Sequence, residues 1–584
     1  MSPSPKPSPS KSDPPKPSAV EGFKQASHFL RGEIPEELVD ENAFFGKGSI
    51  QLIKHHGSYQ QDNRDERKAA RADGRGKAYS MMVRTKIPGG KFSSAQMLAE
   101  LDLCDEVGNA TLRVTTRQAL QLHGILKTNL RKVIRRINEV QSSTLGACGD
   151  VNRNVMCCPA PLRGDAVHDA MQQMADRLAE HFAPHTRAYH QIWLSEESSD
   201  EKQLVGGPED PFEVEPIYGA VYLPRKFKIG IALPGDNCVD VYSQDLGLLA
   251  IVEGSTIVGY NLLVGGGFGV TPTAKKTFPA VAKRMAFITP DQVLEVATAV
   301  VKVQRDFGNR ADRKVARMKY LIANWGLEKF KAKVEEYYGQ PLPEPHPDDV
   351  SGFDDHLGWH EQGDGSWFYG LNIENGRIQD QGTLKLKTAI REICNSLQPP
   401  LRFTSHQSIL FVDVAEKDKQ TLEEILRRNG VPLTEQFSTV RRWSMACPAM
   451  PTCGLAVTES ERVLPGMMDQ LEVELAKLDL AEEIFTTRMT GCPNGCARPY
   501  NSDIGLVGKT LGKYTILIGG RRLGDRLNWI YKDLVPAAEV VATLIPLFRY
   551  FKQDHKKGET FGDFCERKGL DALRAWSEQE AGAV

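Results

Sequence analysis

The sequence predicts an α+β protein built as an internal twofold repeat, in the order A–B–A′–B′. Three observations predict it. First, "LRVTTRQALQL" (112–122) is echoed by "LRFTSHQSILF" (401–411). Second, each copy follows a helical-looking stretch ("AQMLAELDLCDEVG" and "LKTAIREICNSL"), which itself follows a strand-like stretch with a Gly turn ("SMMVRTKIPGGK" and "WFYGLNIENGRI"). Third, "QDLGLLA…GYNLLVGGG" (244–267) pairs with "SDIGLVG…KYTILIGG" (502–520) in the same order along the chain. Strands alternating with helices at this density imply mixed α+β domains.

The boundaries follow from composition and from the echoes. Residues 1–20 are mostly Pro, Ser and Lys, which bury too little apolar surface to offset the entropy of ordering, so a disordered tail is expected. Residues 21–75 form an N-terminal extension wrapping the core; 76–140 and 141–337 are the first copies of A and B. The Pro- and Asp-rich stretch within 338–355 reads as the linker. Residues 356–432 and 433–584 are the second copies.

At 584 residues the chain exceeds a single core. A formal charge of −2 with 41% hydrophobic residues describes a globular protein and gives no reason to expect a nucleic-acid partner. The basic run "KTNLRKVIRR" has helical spacing and reads as a solvated face. No apolar run reaches the roughly 18 residues a membrane span needs. There is no secretion-signal pattern, and the tail lacks the Arg of a transit peptide, so a cytoplasmic location is expected.

Eleven cysteines without a secretion signal suggest thiols or metal ligands. Seven are scattered, and most of them read as small core residues. Cys447 and Cys453 ("CPAMPTC") and Cys492 and Cys496 ("GCPNGC") form two close pairs. Zinc sites favour tighter knuckles than C-x5-C, whereas an iron–sulfur cluster takes ligands from separate loops, so the spacing favours a [4Fe–4S] cluster over zinc. A buried thiol cluster with no metal is the third reading.

Cations gather in the predicted strands. If 112–123 is extended throughout, Arg113, Thr115, Arg117, Gln121 and His123 share one face and Leu112, Val114, Leu120 and Leu122 the other. A second strand, "LPRKFKIGIALP" (223–234), puts Lys226 and Lys228 on one face; Arg84, Arg153, Arg310 and Arg313 add to the set. Any one of them is an ordinary surface cation. Together they suggest recognition of a polyanion, because unpaired buried cations are costly.

With "TGCPNGCARPY…DIGLVGK", "GACGDVNRNVMC", "YLPRKFKIGIALP" and "LLVGGG", these motifs closely resemble the assimilatory sulfite reductase haemoproteins, of the sirohaem and [4Fe–4S] family shared with sirohaem nitrite reductases. The resemblance runs from about residue 29 to 569. It implies ferredoxin-like A units and two mixed α/β sirohaem-binding B units. It also implies six-electron reduction of sulfite to sulfide in cysteine biosynthesis. Cys447, Cys453, Cys492 and Cys496 match the family's cluster ligands, with Cys496 bridging to the sirohaem iron. Arg84, Arg153, Lys226 and Lys228 match the substrate-anion pocket; crowding by other cations lowers a lysine's pKa, which makes Lys226 and Lys228 the expected proton donors. Arg113, Thr115, Arg117, Gln121, Arg310, Gln407 and Asn494 are candidates for enclosing the cofactors. His406 stands where the family often has Asn, and its role is open.

"CPNGC" and the "LPRKFK" lysines are sulfite-type, with a nitrite reductase as the alternative enzyme and a structural zinc protein as the non-enzymatic one. "GGGFG" (265–269) lacks the strand–GxGxxG–helix context of a nicotinamide site. Electrons are therefore expected from a partner, a ferredoxin or an NADPH-dependent flavoprotein subunit.

Overall fold

The structure is a computed structural model that describes residues 15–74, 76–185, 192–195, 202–206 and 214–582. Most of the segment read as a tail, residues 1–14, lies outside the described residues; a helix, Ala19–Gln25, begins before its expected end.

The A units are two five-stranded sheets related by the repeat. One runs Ser58–Asp62, Tyr79–Thr85, Leu120–Ile125, Leu112–Val114, Arg377–Ile378; the other runs Gly358–Glu361, Ser366–Leu371, Ile409–Ala415, Leu401–Phe403, Lys91–Phe92. The fifth strand of each comes from the opposite copy, so the halves exchange edge strands reciprocally. Two tight turns make the exchange possible, "IPGGK" and "IENGR". Gly376 has φ +74, and a Cβ there would lie 2.2 Å from the Val114 carbonyl oxygen; Gly90 has φ +75 and would meet Phe403 O at 2.5 Å. Only glycine permits both the backbone angle and the close approach.

The expectation of one extended strand over 112–123 is corrected. The segment is a hairpin: Leu112–Val114 pairs antiparallel with Leu120–Ile125, and Gln118 turns the chain at φ 52. Its counterpart Gln407 turns the second hairpin at φ 68. The apolar alternation survives, with Leu112, Val114, Leu120 and Leu122 buried. The "LPRKFKIGIALP" strand is likewise shorter, confined to Ile229–Ala232. Lys226 and Lys228 precede it in a segment held by the bridge between Phe227 and Asn152.

The B units are a four-stranded and a five-stranded sheet. In the first, Leu246–Glu253 runs parallel to Ile229–Ala232 and antiparallel to Thr256–Val264. In the second, Ile504–Thr510 runs parallel to Thr487–Thr490 and antiparallel to Lys513–Ile518, and Thr487–Thr490 is parallel to Ser444–Ala446. The second sequence echo is therefore the same parallel-then-antiparallel unit used twice. The linker lies along the first B sheet, where the Asn261 amide donates to the carbonyls of His346 and Asp348.

The exchange predicts unequal glycines. Gly376→Ala should cost at least about 1–3 kcal/mol in chemical denaturation, through backbone strain and the carbonyl clash. Gly382→Ala, also at positive φ (+56) but facing open space, should cost distinctly less. Equal losses would contradict the turn's role.

Candidate cluster and anion site

Parallel pairing explains how cysteines far apart in sequence meet. Ala446 is in register with Met489, so the strands Ser444–Ala446 and Thr487–Thr490 release Cys447 and Gly491 side by side at their carboxyl ends. That end of a parallel pair is where ligand-binding loops usually gather. Gly491 N donates to Cys447 Sγ at 3.4 Å, and Asn494 Nδ2 to Cys492 Sγ at 3.4 Å. Arg64, from the N-terminal extension, donates to the Ala456 and Cys453 carbonyls at 2.8 and 3.1 Å and holds the other loop. "GGGFG" serves this centre too. Val270 N donates to Pro493 O at 2.9 Å, and Phe268 faces Tyr500 with ring centroids 6.1 Å apart.

Cys447 and Cys492 are buried, Cys453 is half-buried and Cys496 is exposed. Burial, and then the neighbouring Cys496, pushes the thiols of Cys447 and Cys492 up to about 12. Such thiols ionise when a metal centre takes them as ligands. A tetrahedral zinc site with Zn–S about 2.3 Å needs sulfur–sulfur edges of about 3.8 Å. Among the described residues, no three of these four thiols lie within 4.8 Å of one another. The donor set thus suits an iron–sulfur cluster, a larger object, and does not suit a single zinc ion.

A row of polar side chains crosses the first A sheet beside the cysteines. Register aligns Arg84 with Gln121, Gln121 with Arg113, and Arg113 with Arg377 of the opposite copy. With its amide oxygen turned toward Arg84, Gln121 accepts from Arg84 Nε at 3.1 Å. The corresponding row of the second sheet is Gly370, Leu410, Arg402 and Lys91. Glycine and leucine replace Arg84 and Gln121, so the repeat is symmetric in backbone and asymmetric in charge.

Arg113 is 1% exposed, pairs with Glu461 and donates to the Ala446 carbonyl at 2.7 Å, immediately before Cys447. Glu461 also accepts from Arg377 at 2.6 Å. Thr115 Oγ1 accepts from Arg117 N at 3.2 Å and shapes the hairpin turn. Gln407 Nε2 donates to Ala446 O at 3.0 Å, and its Oε1 is buried without a hydrogen-bond partner among the described residues. Arg117 donates to Gln244 Oε1 at 2.8 Å and to the carbonyls of Asn154 and Ile229, leaving Nε unpartnered.

The remaining cations converge from the first B unit. Arg153 N donates to Phe227 O at 2.9 Å, which sets Arg153 between Lys226 and Lys228 along the chain pairing. Among the described residues neither lysine ammonium has a hydrogen-bond or carboxylate partner. Burial first, then Arg317, lowers Lys226 to about 7, with Cys496 partly opposing. Lys228 is lowered well below the usual range by burial and then by Lys226 and Arg117. Arg117, lowered to about 9 chiefly by burial, also feels Arg153, Arg498 and Arg84. These mutual effects gather Arg84, Arg117, Arg153, Lys226 and Lys228 into one cationic shell reaching Cys496. Unpartnered donors of this kind fit a polyanionic macrocycle and a small anion.

Arg310 is a correction. It pairs with Glu21 and donates to the carbonyls of Tyr222 and Arg305 at 2.7 and 2.9 Å, so it anchors the N-terminal helix. Arg313 pairs with Asp150 at 2.8 Å and lies 3.7 Å from the same Glu21.

Several site residues went unread in the sequence. Thr116 Oγ1 donates to the Cys496 carbonyl at 3.0 Å. Asp240, buried at φ 51, pairs with Arg498 at 2.6 Å and Arg488 at 2.8 Å, and Arg498 also donates to Ser405 O at 3.1 Å. Arg317 pairs with Asp245 at 2.7 Å, and Lys319 donates to the Gly267 and Gly269 carbonyls, each at 2.9 Å. Arg488 and Arg498 flank "GCPNGC" closely enough to have been noticed; Asp240 carries no such signal. His406 sits in this network, lowered to about 3 by burial and by Arg498 and Arg488, and is a neutral spacer against Trp443.

Asp240→Ala should cost about 3–5 kcal/mol in denaturation, because it strands two buried guanidinium groups. Glu106→Ala, which removes an exposed pair with Lys132, should cost far less. Similar losses would contradict the network's role.

Two family models match the chain. The nitrite and sulphite reductase 4Fe-4S domain covers residues 148–342 and 438–584, and the nitrite/sulfite reductase ferredoxin-like half domain covers 73–140 and 360–429. A sulfite reductase [ferredoxin] of Synechococcus elongatus is 44% identical over 97% of this chain and 92% of its own. A sulfite reductase [NADPH] hemoprotein beta-component of Staphylococcus saprophyticus is 43% identical over 94% and 95%. The solved Mycobacterium tuberculosis NirA protein aligns with a TM-score of 0.76 at 25% identity, covering 96% of this chain and 98% of that one. Twice-matched half domains, twice-matched cluster domains and full-length relatives leave one conclusion: the chain belongs to the nitrite and sulfite reductase family, with its sirohaem and [4Fe–4S] cofactors.

Proposed function

We propose that the protein reduces sulfite to sulfide, by six electrons, in the assimilatory supply of sulfide for cysteine biosynthesis. The observation that carries this reading is the pair of unpartnered ammoniums, Lys226 and Lys228, the first close enough to Cys496 for the thiol to favour its charge. When bound, the sirohaem and its cluster would provide the redox centre through which a donor's electrons reach the substrate. Cys447, Cys453, Cys492 and Cys496 would hold the cluster, and the exposure of Cys496 alone supports its reading as the thiolate shared with the sirohaem iron. Arg117, Gln121 and Gln407 would meet the macrocycle, with Thr115 shaping the hairpin that presents them and Arg113 fixing the cysteine loop. Asn494 would donate to a cluster thiolate.

Arg84, Arg153, Lys226 and Lys228 would bind the substrate anion, neutralising charge in a site where water screens little. A lysine at about 7 holds its proton below neutral pH and surrenders it above, which suits Lys226 to donating protons as oxygen leaves the substrate as water. An anion drawn in raises that value and keeps the donor loaded. The relatives' names carry both donor types, so we read electrons as coming from a ferredoxin or an NADPH-dependent flavoprotein subunit. No described helix is long and apolar enough to cross a membrane, and we place the protein in the cytoplasm.

Lys228→Ala should retain iron and sirohaem content while kcat/KM for sulfite falls by about 10²-fold or more. Full turnover with both cofactors kept would overturn the assignment. A wild-type kcat/KM for nitrite above that for sulfite would assign the site to nitrite.

A further inference from the structure

A second cluster of metal-ligating side chains lies apart from the four paired cysteines. The ligand atoms of Cys158, Asp236, Cys238 and His356 all lie within 4.8 Å of one another. Cys158 Sγ is 2.7 Å from Asp236 Oδ2 and 3.4 Å from His356 Nε2, and His356 Nε2 is 3.1 Å from Asp236 Oδ2. Both thiols and the imidazole are buried. We propose that these four residues form a binding site for one divalent ion of the zinc class, which pins the linker between the two repeats to the first B unit.

The donor set suits that ion. Two thiolates, an imidazole and a carboxylate are soft-to-borderline ligands in the number a closed tetrahedral site takes. Ordinary zinc bond lengths give ligand–ligand edges of about 3.3–3.8 Å, so the cage need open its shortest edge by only roughly 0.7 Å. The carboxylate is already oriented: Asp236 Oδ1 accepts from Cys238 N and Asp354 N, both at 3.2 Å, which turns Oδ2 inward. Supporting bonds of this kind are what metal carboxylates require. His356 is held at φ 58, a strained angle for a side chain this size. An entry route exists, since a cavity of 610 Å³ is lined by Asp236, Asp354, His356, Trp359 and His360.

The position gives the ion a purpose. Cys158, Asp236 and Cys238 belong to the first B unit, and His356 directly follows the linker. Cys238 lies two residues before Asp240. Its carbonyl accepts from Ser405 Oγ, and the Ser405 carbonyl accepts from Arg498 at 3.1 Å. An ion here would brace Asp240 and Arg498, and through them the loop that carries Cys496.

The test is zinc loading of the reduced holoenzyme. Protein equilibrated with zinc chloride and desalted should retain about one zinc per chain. X-ray absorption at the zinc edge should show about two sulfurs near 2.3 Å and two nitrogen or oxygen atoms near 2.0–2.2 Å. Cys238→Ser and His356→Ala should each lower retained zinc at least tenfold with iron content unchanged. Should either variant fail to fold, the wild-type zinc shell decides alone. Less than about a tenth of an equivalent retained overturns the proposal, as does a sulfur-free shell. A shell of four sulfurs would place zinc among Cys447–Cys496 and overturn it too. These outcomes are independent of which anion the enzyme reduces.

Discussion

Cations withdrawn from water without carboxylate partners are expensive, and a chain keeps them only where an anion compensates. Arg84, Arg117, Arg153, Lys226 and Lys228 meet that description, drawn from both the A and B units of the first copy. The rest of the structure serves to hold them against their mutual repulsion. Buried acids absorb the neighbours that are not free: Glu461 takes Arg113 and Arg377, Asp245 takes Arg317, and Asp240 takes Arg488 and Arg498. What remains without a carboxylate is led by Lys226 and Lys228, whose ammoniums have no partner among the described residues.

The repeat supplies the frame, and divergence supplies the site. Two copies of one hairpin, each turned by a left-handed glutamine, exchange edge strands and close around a common centre. In one copy the central row carries Arg84 and Gln121; in the other it carries Gly370 and Leu410. In the B units the asymmetry runs the same way, with Lys226 and Lys228 in the first copy and the four paired cysteines in the second. Each half thus contributes what the other lacks. The anion shell comes from one side and the cluster from the other.

Much of this was legible in the chain. The echoes revealed the repeat, and the two cysteine pairs marked the loops that parallel pairing brings together, because motif and spacing are local properties. The hairpin at 115–118 was not, since "TTRQ" lacks the glycine or proline that usually announces a turn, and a glutamine at positive φ is stabilised only by tertiary contacts. Arg310 looked like one more site cation because sequence cannot say which carboxylate a guanidinium will find; Glu21, nearly three hundred residues earlier, claims it. Asp240 and Thr116 escaped for the same reason. Their roles exist only once the strand pairing has brought "GCPNGC" to the mouth of the first hairpin.

The proposed function requires this shell to enclose a sirohaem joined to the cluster and open to sulfite. The visible spectrum of the purified protein, recorded with and without sulfite under reducing conditions, tests it most directly. A strong sirohaem Soret band that shifts on adding sulfite is the predicted result. A colourless protein with zinc at Cys447, Cys453, Cys492 and Cys496 would contradict it.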